Sequence, residues 1–178
     1  MKVSRYAVTA AALAALMAIS TRTVSAQQLE PAIHFGTFGG LNIPLSDLSQ
    51  NSQTGYMLGG MAQGTPHGWP IALRGELSYT SFGGKHGYVA RNVTSINMNA
   101  VLPFLPTGDT PYFIGGVGLN HTSMFAGLSS ENDVSFNFGG GMKWQLADMS
   151  YFVELRYVTV AHSGHAWQML PLTFGVMF

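Results

Sequence analysis

The chain has no cysteine among its 178 residues. A disulfide framework is therefore excluded, although an exported compartment would permit one. Charge is also scarce. Asp, Glu, Lys and Arg make up 9% of the sequence, against about 25% in an ordinary soluble domain. Beyond the N-terminal segment no stretch reaches the roughly 18 continuous apolar residues of a transmembrane helix, which excludes a helical span. Hydrophobic residues nonetheless make up 47%, too many for a disordered chain. Few charges, no long apolar helix and many Gly, Ser, Thr and Asn together call for an unusual solvent arrangement.

The first 26 residues have the form of a secretory leader. Lys2 and Arg5 supply a positive start, and Ala7 to Ile19 form an apolar run too short to span a bilayer as a helix. Val24, Ser25 and Ala26 put small residues before a cleavage point at Gln27, with Arg22 an uncommon neighbour. The alternative is a buried N-terminal helix. Residues 1–26 are thus expected to be a signal peptide, and 27–178 a single domain without a linker. Removing Lys2, Arg5 and Arg22 leaves five basic residues against eight acidic ones, a net charge of −3. That argues against a nucleic-acid partner, which needs a basic face.

The remainder alternates with period two and has no convincing helical stripe. Eight strands are predicted, near 32–42, 54–62, 69–80, 91–102, 111–120, 134–145, 150–160 and 167–178. In the third, Ile71, Leu73, Leu77 and Tyr79 share one parity, while Ala72, Arg74, Glu76, Ser78 and Thr80 share the other. In the sixth, Val134, Phe136, Phe138, Met142 and Trp144 oppose Ser135, Asn137 and Lys143. In the seventh, Tyr151, Val153, Leu155 and Tyr157 oppose Glu154 and Arg156. Successive side chains of a strand point to opposite faces, so each strand has an apolar and a polar face. All six charged residues within the predicted strands fall on polar parity.

The polar face decides which way a barrel is turned. Facing water, it would carry many Lys and Glu. Instead it holds Ser, Asn, Thr, Gly and a few balanced charges, which suits a narrow filled lumen. An eight-stranded barrel has an interior just wide enough for side chains to fill. The fold expected is all-β, an eight-stranded antiparallel up-and-down transmembrane barrel. A membrane chain without apolar helices must be a closed barrel, since the bilayer core leaves no backbone group unpaired. Ten residues rising about 3.3 Å each and tilted near 45° climb about 23 Å, close to the apolar band of roughly 25 Å. Arg74, Glu76, Lys143, Glu154 and Arg156 are expected to form a lumenal polar network with a packing role.

Connections near 43–53, 81–90, 121–133 and 161–166 are expected as longer outer loops, and 63–68, 103–110 and 146–149 as short periplasmic turns. Trp69, Tyr112, Trp144, Tyr151 and Phe178 are placed at the periplasmic strand ends, and Tyr79 and Phe82 at the outer ends, as two aromatic girdles.

The last strand is the most specific feature. Leu170, Leu172, Phe174, Val176 and Phe178 alternate to a terminal aromatic. With Phe35-Gly36-Thr37-Phe38-Gly39-Gly40 and Pro111-Tyr112-Phe113-Ile114-Gly115-Gly116-Val117-Gly118, the mature chain resembles the OmpA/OmpX-like small outer-membrane β-barrel family, including its porin-like barrel domains. The resemblance implies outer-membrane residence among lipid and lipopolysaccharide. It also implies a C-terminal strand read by the barrel-assembly machinery. Members of this family are structural, adhesive or of unknown role. Unlike the large OmpA proteins, this chain has no peptidoglycan-binding domain after the barrel, so an anchoring role is not expected.

Chemistry is sparse. His86, His121, His162 and His165 fall on predicted outer loops. His162 and His165 have the spacing of two imidazole ligands for Zn or Cu, but a third ligand is missing, and the plain reading is solvated histidine. No metal or other cofactor is expected. Some eight-stranded barrels are lipid A deacylases using His, Ser and a carboxylate, and His162, Ser163 and Glu131 are the candidates here. Adjacent strand residues point to opposite faces, and that family's His-x-Ser-Asn pattern is absent. Gly139-Gly140-Gly141 is no phosphate loop, because no helix follows with Lys-Ser/Thr. The expected function is a non-enzymatic barrel with a filled polar lumen, serving envelope integrity or surface interaction through its outer loops. The alternatives are a narrow pore for small solutes, a soluble lipocalin-like binding barrel and a lipid A-modifying barrel enzyme. The surface partner is left open.

Overall fold

A computed structural model describes residues 33–85, 90–105, 109–124, 130–162 and 165–178. Eight strands follow one another: β1 (Ile33–Leu45), β2 (Gly55–Gly64), β3 (Ala72–Phe82), β4 (Arg91–Pro103), β5 (Thr110–Met124), β6 (Ser130–Leu146), β7 (Met149–His162) and β8 (His165–Met177). A short helix α1 (Ser46–Asn51) follows β1. Each strand pairs antiparallel with its sequence neighbour, and β1 pairs with β8 from Gly36↔Met177 to Leu45↔Gln168, which closes the barrel. At the seam, Phe178 N–H donates to Phe35 O at 2.8 Å, and Phe35 N–H donates back to Phe178 O at 3.2 Å. The ladder leaves no free sheet edge between strands, the condition for a sheet placed in lipid.

Burial alternates along the strands and runs opposite to that of a soluble barrel. On β3, Arg74, Glu76, Ser78 and Thr80 are buried, while Leu73, Leu77 and Tyr79 are exposed. On β6, Ser135 and Asn137 are buried beside exposed Val134, Phe136 and Phe138. Following the alternation around the barrel, no Asp, Glu, Lys or Arg among the described residues occupies an outward strand position. The outward face is instead a belt that includes Phe35, Leu58, Leu77, Ile96, Phe113, Val117, Leu155, Leu172 and Phe174. Trp144, Tyr151 and Phe174 meet on that face at one end, with ring centroids 6.1–6.5 Å apart.

Toward the end away from Ile33 and Met177, the outward face turns polar. The cross-strand row Tyr79, Thr94, His121, Asn132 marks this change, and Ser81, Asn92 and Ser123 lie beyond it. We call this the far end and the opposite one the terminal end.

The structure corrects several sequence expectations. The strands run further than predicted at the far end: residues 121–124 and 130–133 belong to β5 and β6. The expected loop asymmetry is therefore largely absorbed into longer strands. Continuous pairing of β5 with β6 from Thr110↔Lys143 to Ser123↔Ser130 is the reason. His121 and Glu131 thus lie on strands. His162 and His165 are also strand positions, paired in the β7–β8 ladder. His86 and Ser163 lie outside the described residues. The connection 46–54 contains a helix where a plain loop was expected. Finally, Tyr112 and Phe82 belong to no girdle. Both point inward and are buried, at 3% and 0% exposure.

Candidate functional site: the barrel lumen

The lumen is layered, which the expectation of a uniformly polar interior did not anticipate. At the terminal end, Phe38, Met61, Ala72, Val101, Tyr112, Ile114, Phe152 and Met177 belong to an apolar cluster. At the far end, Phe82, Val93, Val158, Val160, Trp167 and Met169 form another, closed by Leu48 of α1. A polar layer lies between them. Its inward residues come from strand centres, whereas the apolar ones come largely from inward positions nearer strand ends.

Four charges form the heart of the polar layer. β3 carries Arg74-x-Glu76, and β7 carries Glu154-x-Arg156. In a closed barrel of eight strands these two are four steps apart in either direction, so they face each other across the lumen. Both are odd-numbered and run the same way. The lower position is therefore Arg on one wall and Glu on the other, and the order is reversed one layer up. Arg74 Nη1 donates to Glu154 Oε2 at 2.8 Å, and Arg156 Nη1 donates to Glu76 Oε2 at 2.8 Å. Contacts within each strand complete a ring. Arg156 Nε lies 2.7 Å from Glu154 Oε1, and Arg74 Nη1 lies 3.6 Å from Glu76 Oε1. The Arg156 Nε–H does not point along its short contact, so that contact is ionic without being a hydrogen bond. All four side chains are buried, and the tetrad is neutral overall. Burying charge is costly unless it is paired and hydrogen-bonded, and this arrangement meets that condition.

Further residues brace the tetrad. Tyr112 of β5 donates its hydroxyl to Glu154 Oε2 at 2.7 Å. Arg74 Nε donates to Gln63 Oε1 of β2 at 2.8 Å. The Arg74 guanidinium lies 5.6 Å from the Tyr112 ring centroid and 5.2 Å from that of Phe152, within cation–π range. Glycine makes room on the neighbouring wall. Gly139 faces inward opposite Arg156 in the β6–β7 ladder, and a Cβ there would lie 2.7 Å from Arg156 Cα and 2.9 Å from its Cγ.

Four of the five expected network residues are thus brought together. Lys143 is not. It lies on the inward parity of β6 near the terminal end, beside Thr110 and Phe152, and is no member of the tetrad. The residues missed by sequence reasoning are Tyr112, Gln63 and Phe152. A signal for two of them was available. Counting back by twos from Asn120 on β5, or from Glu154 on β7, reaches Tyr112 and Phe152 on the inward face.

The C-terminal residues Leu170, Leu172, Phe174, Val176 and Phe178 share the outward face of β8. Trp167, Met169, Thr173 and Met177 are buried on the other. Among the described residues, no group of three or more His, Asp or Glu is placed to hold a metal. Glu131 lies on inward parity at the far end of β6, where β6 pairs with β5 at Thr122. Its suggested partner Ser163 lies outside the described residues.

The far mouth is covered by α1. Leu48 is 4% exposed within the far apolar cluster. Lys85 holds the helix from the other side of the mouth, its Nζ donating to Ser49 O at 2.9 Å and its backbone N–H to Asn51 O at 3.0 Å. Ser46 Oγ donates to Gln168 Oε1 of β8 at 2.6 Å. The chain enters the helix through Ser46 at φ 47°, in the left-handed region.

No protein-family model matches the chain, and no curated protein does. Solved structures do share its fold. Neisserial surface protein A (NspA) superposes with a TM-score of 0.66 at 16% identity, covering 82% of this chain and 95% of that one. The outer membrane enzyme PagL matches with a TM-score of 0.55 at 18% identity, covering 81% and 98%. A major outer membrane protein from Thermus thermophilus matches with a TM-score of 0.51 at 12% identity, covering 83% and 99%. The chain is a closed eight-stranded antiparallel barrel with the architecture of outer-membrane barrels.

Proposed function

We propose that this chain is a small outer-membrane barrel of the OmpA/OmpX-like kind, with a structural or surface-interaction role and no enzymatic one. The observation that carries the reading is its inverted burial. Among the described residues, charge is absent from outward strand positions, while two arginines and two glutamates are buried inside. Water outside would favour the opposite arrangement; hydrocarbon outside favours this one, since a lipid-facing Arg or Lys near the midplane costs about 2–4 kcal/mol. On this reading residues 1–26 are a cleaved signal peptide and the terminal end faces the periplasm. The outward residues of β8, ending at Phe178, are the signal read by the barrel-assembly machinery. Lipid and lipopolysaccharide surround the belt, and the far end is the surface available to a partner.

The lumen supports a structural role over a pore. Among the described residues, two apolar clusters and an ion tetrad fill it. Wide aqueous channels belong to barrels of about 16–18 strands. The likeness to the enzyme PagL is one of fold at 18% identity and carries no chemistry to this chain.

Cell fractionation tests the location. The mature protein is expected in the outer membrane, with heat-modifiable mobility on unboiled gels. Recovery from the soluble periplasm would refute the reading and favour a lipocalin-like binding barrel. Planar-bilayer recording tests the lumen: purified monomer is expected to give no large stable channels, and such channels would overturn the filled-lumen reading.

A further inference from the structure

A cavity of about 30 Å³ lies between the tetrad and the far apolar cluster, lined among others by Asn42, Ser95, Asn120, Asn137, Glu76 and Arg156. Its lining is rich in polar atoms without protein partners. Asn42 is fully buried, and neither its Nδ2 nor its Oδ1 has a partner. Asn120 Nδ2 and Asn137 Oδ1 are also unpartnered. The other halves of those two amides are engaged. Asn120 Oδ1 accepts from Ser95 Oγ at 2.6 Å, and Asn137 Nδ2 donates to Asn99 Oδ1 at 2.9 Å. The lining residues thus present two amide donors and two amide acceptors without partners, beside Glu76 Oε1 and Arg156 Nε, which have ionic contacts but no hydrogen bond.

Native interiors leave few buried polar groups unsatisfied, because each one forfeits its hydration. Four such atoms around one small space make it a site for something that donates and accepts hydrogen bonds. We propose that this space is an internal hydration site holding about two ordered waters, which bridge Asn42 to Asn120 and Asn137. A water needs roughly 10–15 Å³ of such volume and two to four polar partners, and both conditions are met for about two. The proposal goes beyond the membrane role and does not depend on it.

Other occupants fit less well. A drug-sized solute needs a pocket of about 300–1,000 Å³. A cation would need an uncompensated carboxylate, whereas Glu76 is already paired with Arg156 at 2.8 Å. An anion meets the mirror problem at Arg156. Val158 and Met169, which line the cavity, belong to the far apolar cluster that also contains Leu48. The β7–β8 ladder keeps one register on both sides of the cavity. Its pairs run to Leu155↔Leu172 and resume at Val158↔Met169, and Pro171, which has no N–H, lies in the gap and lines the cavity.

The test uses the full barrel in micelles, with water itself as the probe. Nuclear Overhauser spectra should show cross-peaks between the side-chain amide protons of Asn42 and Asn120 and a water that tumbles with the protein. Their absence would overturn the proposal. Asn42→Leu, of similar size, supplies an independent arm. It should remove the water cross-peak at Asn120 and lower the urea midpoint of unfolding, because the remaining amides lose their bridge. A raised midpoint would mean that the amides were dry and that Leu relieved them, which would refute the site; so would an Asn120 cross-peak that persists unchanged.

Discussion

Glu154→Gln is the sharpest probe of the lumen. The substitution keeps shape and removes one charge from a neutral tetrad, leaving a surplus positive charge between two apolar clusters. Glu154 is the most connected member, meeting Arg74 Nη1 at 2.8 Å, Arg156 Nε at 2.7 Å and the Tyr112 hydroxyl at 2.7 Å. Breaking a buried pair by removing one partner costs about 3–5 kcal/mol. The residue is 1% exposed, so bulk water cannot take over the solvation of the two guanidinium groups. Glu154→Gln should therefore lower stability by about that amount, measured by urea unfolding in lipid vesicles at neutral pH with tryptophan fluorescence. Arg74→Gln should cost a similar amount for the mirror reason. The double variant should cost less than the sum of the two by about 0.5–3 kcal/mol, the coupling typical of residues in one network. If Glu154→Gln cost less than about 1 kcal/mol, as exposed pairs do, and the cycle showed no coupling, the tetrad would be solvated and the account of a sealed lumen would be wrong.

Other positions give independent checks. Leu73→Arg and Leu155→Arg put a charge on the outward belt and should cost about 2–4 kcal/mol in bilayers near the midplane and less toward the interfaces. A spin-label scan of 71–80 should report lipid at Leu73, Leu77 and Tyr79, and a lipid signal at Arg74, Glu76 and Ser78 would invert the faces. Gly139→Ala forces a methyl against the Arg156 backbone and should cost about 1–3 kcal/mol by overpacking. Gly75→Ala meets only Met98 Sδ at 3.5 Å and should be tolerated, so equal loss at both positions would contradict the close approach. Leu48→Ala should cost about 2–5 kcal/mol if Leu48 packs as a core residue; no change in the unfolding midpoint would mean that α1 does not seal the mouth.

The existence and order of the eight strands were legible because each carries its own period-two record. The strand ends were less so. Residues 121–124 and 130–133 contain His121, Thr122, Ser123, Glu131 and Asn132, a composition that reads as loop. Nothing local says that β5 and β6 continue to pair through them. The same non-locality hid α1. It has one buried apolar residue, Leu48, and is fixed by Lys85 and Gln168 from distant segments. The layering of the lumen was missed for another reason. Alternation assigns a face to each residue, but a polar face was read as polar from end to end. Phe82 and Tyr112 stand on inward parity with Thr80 and Ile114, so two-residue counting places them inside even though they were expected in a girdle.

The tetrad shows how far topology extends a sequence pattern. Arg74-x-Glu76 and Glu154-x-Arg156 are separated by 80 residues between Arg74 and Glu154, and no local rule connects them. Once eight strands close into one barrel, β3 and β7 must be opposite, and parity sends all four side chains inward. The ladder registers, together with the stagger of the closed barrel, bring Arg74 level with Glu154 and Glu76 level with Arg156. Had both walls carried Arg-x-Glu, each Arg would face an Arg across a space too narrow for water to screen it. The reversed order on β7 is what makes every cross-lumen contact attractive, so the charge order on two distant tripeptides is a constraint on strand number as well as on pairing. A six- or ten-stranded closure would not place these two strands opposite each other. The same four charges would then face uncharged walls, and their burial would lack the partners that make it tolerable.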